Sequence, residues 1–432
     1  MSGPLPRLTT AQAAARLGVK PATLYAYVSR GLIASTRAEA GGGSTFDALD
    51  VERLAAARRR PREGGAGADR PRGRPLMVLG SPITLIEGDE LYYRGVRATE
   101  LARTHTLEAA VEVLWAQPPA VTGHGFETSA ELLAHARAAG DLLGPAARLI
   151  DRLQLTVVIA GSHDPLRTDL TAASVHAAGR RLIATMVDAL PDVGPPAPSP
   201  ARLAQRLWPK LTASPGTPAD LALLEATLVL CLDHDLAAAT LAARVAASAR
   251  AHPYAAITAA LGAFDSAMHG SASTVATQML REAGSGRPER VIAGHAARGR
   301  GIPGFGHVLY RRTDPRAAYL LARMSAMERY AAAIRVTREL VAMVGPRTGR
   351  PTNVDLALAV LAVGADMGDD AGQAIFAVAR TVGWLAHVVD EYGQAPLRLR
   401  PESDYTGPRP AEPAQPSTSG SDLPDGRAAT RH

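Results

Sequence analysis

"GIPGFGHVLYRRTDPRA", residues 301–317, sets a glycine-rich turn directly before His307, and four charged side chains follow within nine residues. The stretch interrupts a chain otherwise rich in alanine and leucine. It asks what chemistry needs a flexible loop, one imidazole and several guanidinium groups together. Gly299, Gly301 and Gly304 also spell Gly-x-Gly-x-x-Gly. A dinucleotide fold needs a strand before that pattern, a helix after it and an acid about twenty residues on. The preceding "GHAARGR" does not read as a strand, so the glycines read as a loop.

Working outward, composition bounds the surroundings of this loop. The 432 residues are 47% hydrophobic but only 4% aromatic. That favours packed helices over sheets and leaves no room for wholesale disorder. Cys231 is the single cysteine, which excludes a disulfide framework and a cysteine-based zinc or iron–sulfur site, and suits a reducing cytoplasm. No His-x-x-x-His pair occurs, so no metal is expected. The longest apolar runs, such as "LALAVLAVGA" (356–365), are too short to span a bilayer, and no signal peptide is read. Charge is unevenly spread. Residues 1–74 carry 13 Lys/Arg against 6 Asp/Glu, a net of +7, whereas the whole chain carries +6. The basic character belongs to the N-terminal part.

Residues 7–60 read as a small module. "TTAQAAARLGV" offers Thr9 or Thr10 as a helix cap and Gly18 as a stop, and "KPATLYAYVSRG" places Pro21 at a helix start and Gly31 at its end. A Gly-tipped hairpin and a third helix from about Asp47 follow. The pattern resembles the winged helix-turn-helix domain of MerR and excisionase regulators. That resemblance implies Lys20, Thr23, Tyr25 and Arg30 near DNA; the alternative is an appendage that docks on protein. Residues 61–75 read as a linker, and 407–432 as a disordered tail. Between them, "PLMVLGSPITLIEGDELYYRG" reads as a hairpin about its "EGD" turn. Nearly every later segment reads as helix. In residues 216–230, Thr217 caps, Pro218 takes the first turn and Asp220 complements the dipole.

Three stretches hold candidate chemistry: "AMHGSAST" with His269, the opening loop with His307, and "PTNVDLALAVLAVGADM" with Asp355. Singly, each reads as readily as a histidine satisfied at a helix end, or as an N-cap. Together with "LDHDLAAATLAARVAAS", "VARTVGWLAHVVDEY", "LRLRPESDYTG" and the opening hairpin, they resemble, in order, the motifs of citrate synthase and 2-methylcitrate synthase.

The resemblance covers residues 76–406. It implies a mainly α, two-domain citrate-synthase-like helical fold, with a large domain of 76–265 and 362–406 and a small one of 266–361. It implies Asp355 as base, His269 as donor to the enol oxygen in neutral form, and His307 as donor to the ketone under attack. It further implies His234, Arg316, Arg380 and Arg400 around a 2-oxo dicarboxylate, Arg400 reaching across a homodimer. Gly304, Gly306 and Arg311 would lie along coenzyme A; Arg347 and Arg350 join them as phosphate partners by charge alone. The acyl-CoA is then a substrate, acetyl or propionyl, with no resident cofactor and no membrane partner. Ser273, Ala238 and Asp235 depart from the family pattern. A rival reading is a DNA-binding regulator whose synthase-like domain senses thioesters or dicarboxylates.

Overall fold

Capping residues fix where most helices begin, and the computed structural model shows the outcome for residues 5–38, 43–58, 78–116, 126–298 and 301–408. In the N-terminal module the order is β1 (Arg7–Thr9), α1 (Thr10–Leu17), α2 (Pro21–Ser29), β2 (Ser35–Arg37), β3 (Ser44–Asp47) and α3 (Ala48–Arg58). Of the two candidate caps, Thr9 starts α1, and its side chain and Gln12 cap each other reciprocally. Gly18 stops the helix at φ +63°, a left-handed angle suited to glycine. The three strands pair antiparallel in the order β1-β3-β2.

The opening hairpin of the larger part gains a third strand: β4 (Thr84–Glu87), β5 (Glu90–Tyr93) and β6 (Val96–Arg97). Helices follow: α4 (Ala98–Thr104), α5 (Leu107–Leu114), α6 (Ala130–Asp141), α7 (Leu149–Ser162), α8 (Ala172–Asp188) and α9 (Leu203–Leu211). Next come α10 (Pro218–Leu230), α11 (Ala238–Ser248), α12 (Pro253–Phe264), α13 (Ala272–Gly284), α14 (Pro288–Ala297) and α15 (Pro315–Ser325). The last are α16 (Ala331–Thr348), α17 (Val354–Gly364) and α18 (Ala371–Tyr392). The mainly helical expectation holds. Thr217 and Asp220 form the expected reciprocal cap of α10, whose broad apolar face is buried within the chain. Helix α18 is buried along almost its whole length and meets α8, α11 and α12. Among the described residues no helix is long and apolar enough to cross a membrane.

The described residues up to Arg398 form one compact unit, and those from Leu399 a second. In the second, residues 400–408 hold no helix or strand; the expected linker 61–75 and the tail from 409 lie outside the described residues. The module is no independent bead within the first unit. Helix α3 packs on α14 and α16, and α14 also meets α1 and β1. Leu49 at the head of α3 is fully buried in the main core, while Ala296 of α14 completes the small core formed by Leu8, Leu24 and Phe46.

This shared packing makes the unfolding of the two parts interdependent. Leu49→Ala should cost about 2–5 kcal/mol. Trp115, Trp208 and Trp384 all lie outside the module and in the main core. Their fluorescence should therefore report a lower denaturant midpoint in this variant; an unmoved tryptophan transition would show that the module unfolds on its own.

Candidate active site

Two loops build the centre of the site. Residues 301–307 follow α14, and residues 349–353 connect α16 to α17. Phe305 and Thr352 form an antiparallel bridge between them. The Gly306 N–H donates to the Pro351 carbonyl (2.7 Å), and the Asn353 N–H donates to the Gly304 carbonyl (3.0 Å). Gly304 has φ +78°, and a Cβ there would lie 2.7 Å from the Leu356 Cβ, so only glycine lets the loop lie against α17. Its first role in this structure is therefore close packing.

Asn353, not Asp355, caps α17: its Oδ1 accepts from the Asp355 and Leu356 N–H groups at 3.1 and 3.4 Å. That leaves the Asp355 carboxylate uncommitted to the cap. Burial pushes it up to about 6; the Arg316 guanidinium pulls the other way, and Asp314 reinforces the rise.

Asp314 caps α15, accepting from the Arg316 N–H, and also holds the Arg316 side chain at 3.0 and 2.8 Å. Its Oδ2 accepts the Val354 N–H at 3.0 Å. One buried carboxylate thus joins the "DPR" stretch to the head of α17. Arg316 lies within 5.6 Å of the Tyr310 ring centroid.

His307 and His234 meet edge to face at 4.9 Å between ring centroids, and Tyr310 lies beside both. The Tyr310 hydroxyl is 3.0 Å from His234 Nε2. His307 Nδ1 accepts the Leu309 N–H at 3.0 Å. A neutral ring that accepts at Nδ1 carries its proton on Nε2, so His307 is a hydrogen-bond donor there. Burial, then the Arg316 charge, lower His307 to about 4. His234 falls well below the usual imidazole range through burial, Arg316 and Arg380.

His269 stands before α13, not satisfied at a helix end. Its ring meets Phe264 and Phe376 edge-on, and its buried Nε2 has no hydrogen-bond partner. Burial and the Arg380 charge lower it to about 4. It is thus neutral at pH 7. Arg380, on the buried helix α18, donates from Nε to the Cys231 carbonyl at 3.0 Å and lies over the Phe376 ring. One of its terminal nitrogens is buried without a hydrogen-bond partner. The buried Cys231 thiol is raised to about 11 by desolvation against the pull of Arg316 and Arg380, while Asp314 and Asp355 add to the rise.

The Arg316 charge bears on His234, His307 and Asp355, and the Arg380 charge bears on His234 and His269. His269 and Asp355 make no hydrogen bond to each other. Arg350 packs against Gly306, and Arg311 is exposed. The chain from Arg311 to Arg312 is held by Asp89, at the turn between β4 and β5. Arg347 instead pairs with Asp47 of the module at 3.0 Å. Arg400 is exposed in the second unit. Lys20, Thr23, Tyr25 and Arg30 are exposed on or beside α2.

Residues 74–402 match the family model described as citrate synthase, C-terminal domain. The chain belongs to the citrate synthase family. Residues 7–59 match a helix-turn-helix domain. Citrate synthase of Haloferax volcanii is 29% identical over 361 residues, covering 77% of this chain and 94% of that protein. Citrate synthase 2 of Bacillus subtilis is 33% identical over 214 residues, 48% of this chain and 56% of that relative's length. Crystallised citrate synthase from Thermotoga maritima superposes with a TM-score of 0.65 at 26% identity, covering 78% of this chain and 95% of that one.

Several residues around the family's motifs escaped the sequence reading. Asp314 was legible as an N-cap, because Pro315 follows it. Asn353 before α17 carried the same signal. Tyr310, Asp89 and the buried His387–Asp233 pair (3.2 Å) had none, since their partners lie far along the chain. Of the departures from the family pattern, Ser273 is buried with its hydroxyl donating to Gly270 O (3.3 Å), and Asp235 adopts φ +55°.

Asp355 has a folded-state pKa near 6, above its reference of 3.8, so folding favours its protonated form. Its favourable contribution is full below pH 3.8 and is lost as pH rises through about 6. Asp355→Asn should therefore gain thermal stability relative to wild type between pH 4 and pH 7. Parallel melting curves across this range would refute the burial argument.

Proposed function

We propose that the protein is an acyltransferase that condenses acetyl-CoA with oxaloacetate and water, giving citrate and free coenzyme A. The observation that carries this reading is the Asp355 carboxyl, left out of the α17 cap, under the charge of Arg316, which with Arg380 is buried and also bears on the three imidazoles His234, His269 and His307. A methyl group next to a thioester is a weak acid, so a carboxylate removes its proton only if the enol oxygen is stabilised as it forms. Asp355 takes that proton, and the unpartnered Nε2 of His269 serves the enol oxygen. Nε2–H of His307 donates to the ketone oxygen as the carbon–carbon bond forms. Water then cleaves the thioester and releases the thiol.

Arg316, Arg380 and His234 bind the dicarboxylate, with Arg400 supplied by the second subunit of a homodimer. Gly304, Gly306, Arg311, Arg347 and Arg350 line the coenzyme. The thioester is a substrate, and the chemistry requires no resident cofactor. Closure of residues 266–361 over the large domain excludes water from the enol. The single buried thiol is consistent with a cytoplasmic enzyme.

Thiol release should be measured with acetyl-CoA or propionyl-CoA plus oxaloacetate. Turnover is expected to rise with pH through about 6, as Asp355 ionises. Asp355→Ala should lower kcat by about 10²- to 10⁴-fold. Preference for propionyl-CoA would make the enzyme a 2-methylcitrate synthase; no thiol release with either donor would overturn the reading.

A second role, duplex DNA binding by the module, is favoured by one observation. Docking uses α1, α3 and β1, while Lys20, Thr23 and Arg30 remain exposed at α2. The full chain should then retard duplex DNA, and Lys20→Ala should weaken binding alike across sequences and reduce the salt slope by about 1. No retardation at low salt would remove this role.

A further inference from the structure

The module grips the two helices that lead into the candidate coenzyme site. Helix α14 precedes the glycine loop, and Arg347 lies in the last turn of α16, just before the loop that carries Arg350 and leads to Asp355. Helix α3 packs on both. At the centre of this contact, Asp47 divides its carboxylate between two tasks. Oδ1 caps α3, accepting the Leu49 and Asp50 N–H groups at 2.9 and 3.4 Å. Oδ2 pairs with Arg347 at 3.0 Å. Asp47 is buried, and so is the Arg347 Nη1 that faces it in a charge contact without a hydrogen bond; the Arg347 side chain as a whole retains 29% exposure, so an incoming anion meets the cation from its solvent side while its internal partner stays covered. Arg311 and Arg350, by contrast, have no ion-pair partner among the described residues and are open to anions. Arg347 is thus the one proposed phosphate contact already occupied by a carboxylate of this chain.

We propose that Asp47 is an internal competitor for Arg347, so that binding of the phosphate-bearing end of an acyl-CoA and docking of the helix-turn-helix module oppose each other. This rests on the synthase reading above. A phosphate offers more charge and more acceptor oxygens than one shared carboxylate, and draws the guanidinium fork away from Asp47. Loss of that ion pair loosens α3 on α14 and α16. By linkage, the factor by which coenzyme loosens docking equals the factor by which docking weakens coenzyme binding. The module thereby senses whether the thioester site is filled.

The test is calorimetric titration of the full chain with coenzyme A. Asp47→Asn keeps a good helix cap but removes the charge. It should tighten coenzyme A about 5-fold or more, and the gain should vanish in an Arg347→Gln background. In wild type, which needs no substitution to fold, coenzyme A should accelerate hydrogen exchange of α3 amides. Unchanged or weaker binding in Asp47→Asn overturns the proposal, as does a gain that survives Arg347→Gln, or α3 exchange that coenzyme A leaves unmoved. If wild type does not bind coenzyme A at all, the synthase reading fails and takes this one with it. Binding that ignores Asp47 removes the competition alone.

Discussion

The site depends on one buried carboxylate. Asp314 caps α15, holds the Arg316 guanidinium through two hydrogen bonds and accepts the Val354 N–H at the head of α17. Two segments that carry candidate chemistry, the head of α15 and the head of α17, are thereby held by a single pair of oxygens. Taking such an ion pair out of water is costly, and it is offset here because both Asp314 oxygens accept hydrogen bonds, two of them from the guanidinium itself. Removing only the carboxylate would leave Arg316 buried and uncompensated, a loss of about 3–5 kcal/mol by the behaviour of buried pairs. The same arrangement leaves a net positive field from Arg316 and Arg380, and this field, added to burial, keeps all three histidines uncharged. Neutral imidazoles donate hydrogen bonds without competing for the anion that the arginines attract.

Much of this was legible in the sequence because it is local. Thr9 and Thr217 announce helix starts through hydrogen bonds within one turn, Pro21 through its fixed φ and missing N–H, and Gly18 announces a stop through its backbone angle. The motif around His307 and the head of α17 were legible because their residue types and order are distinctive. What stayed hidden depends on distance along the chain. Nothing near Tyr310 foretells His234, 76 residues away, and nothing near Asp47 foretells Arg347. Gly304 was legible as special, but its reason in the structure is the approach of Leu356.

The boundary between the two parts was the least legible feature. A run of proline, glycine and arginine reads as a linker, which leaves open whether the module docks on the larger part. Small side chains on α14 admit the module into close contact, and Leu49 crosses into the larger core. Alanine-rich helix surfaces look unremarkable in sequence whether they face water or a neighbour, because their pattern carries little contrast.

The clasp at the tip of the first hairpin has a consequence for how the molecule is made. Asp89 receives the Arg311 amide from 222 positions further on. During synthesis the hairpin is among the first pieces of the larger part to leave the ribosome, yet its acceptor oxygens stay unclaimed until most of the remaining polypeptide has emerged. The segment bearing His307 and Arg316 therefore reaches its final seat late, after much of the helical scaffold exists to receive it.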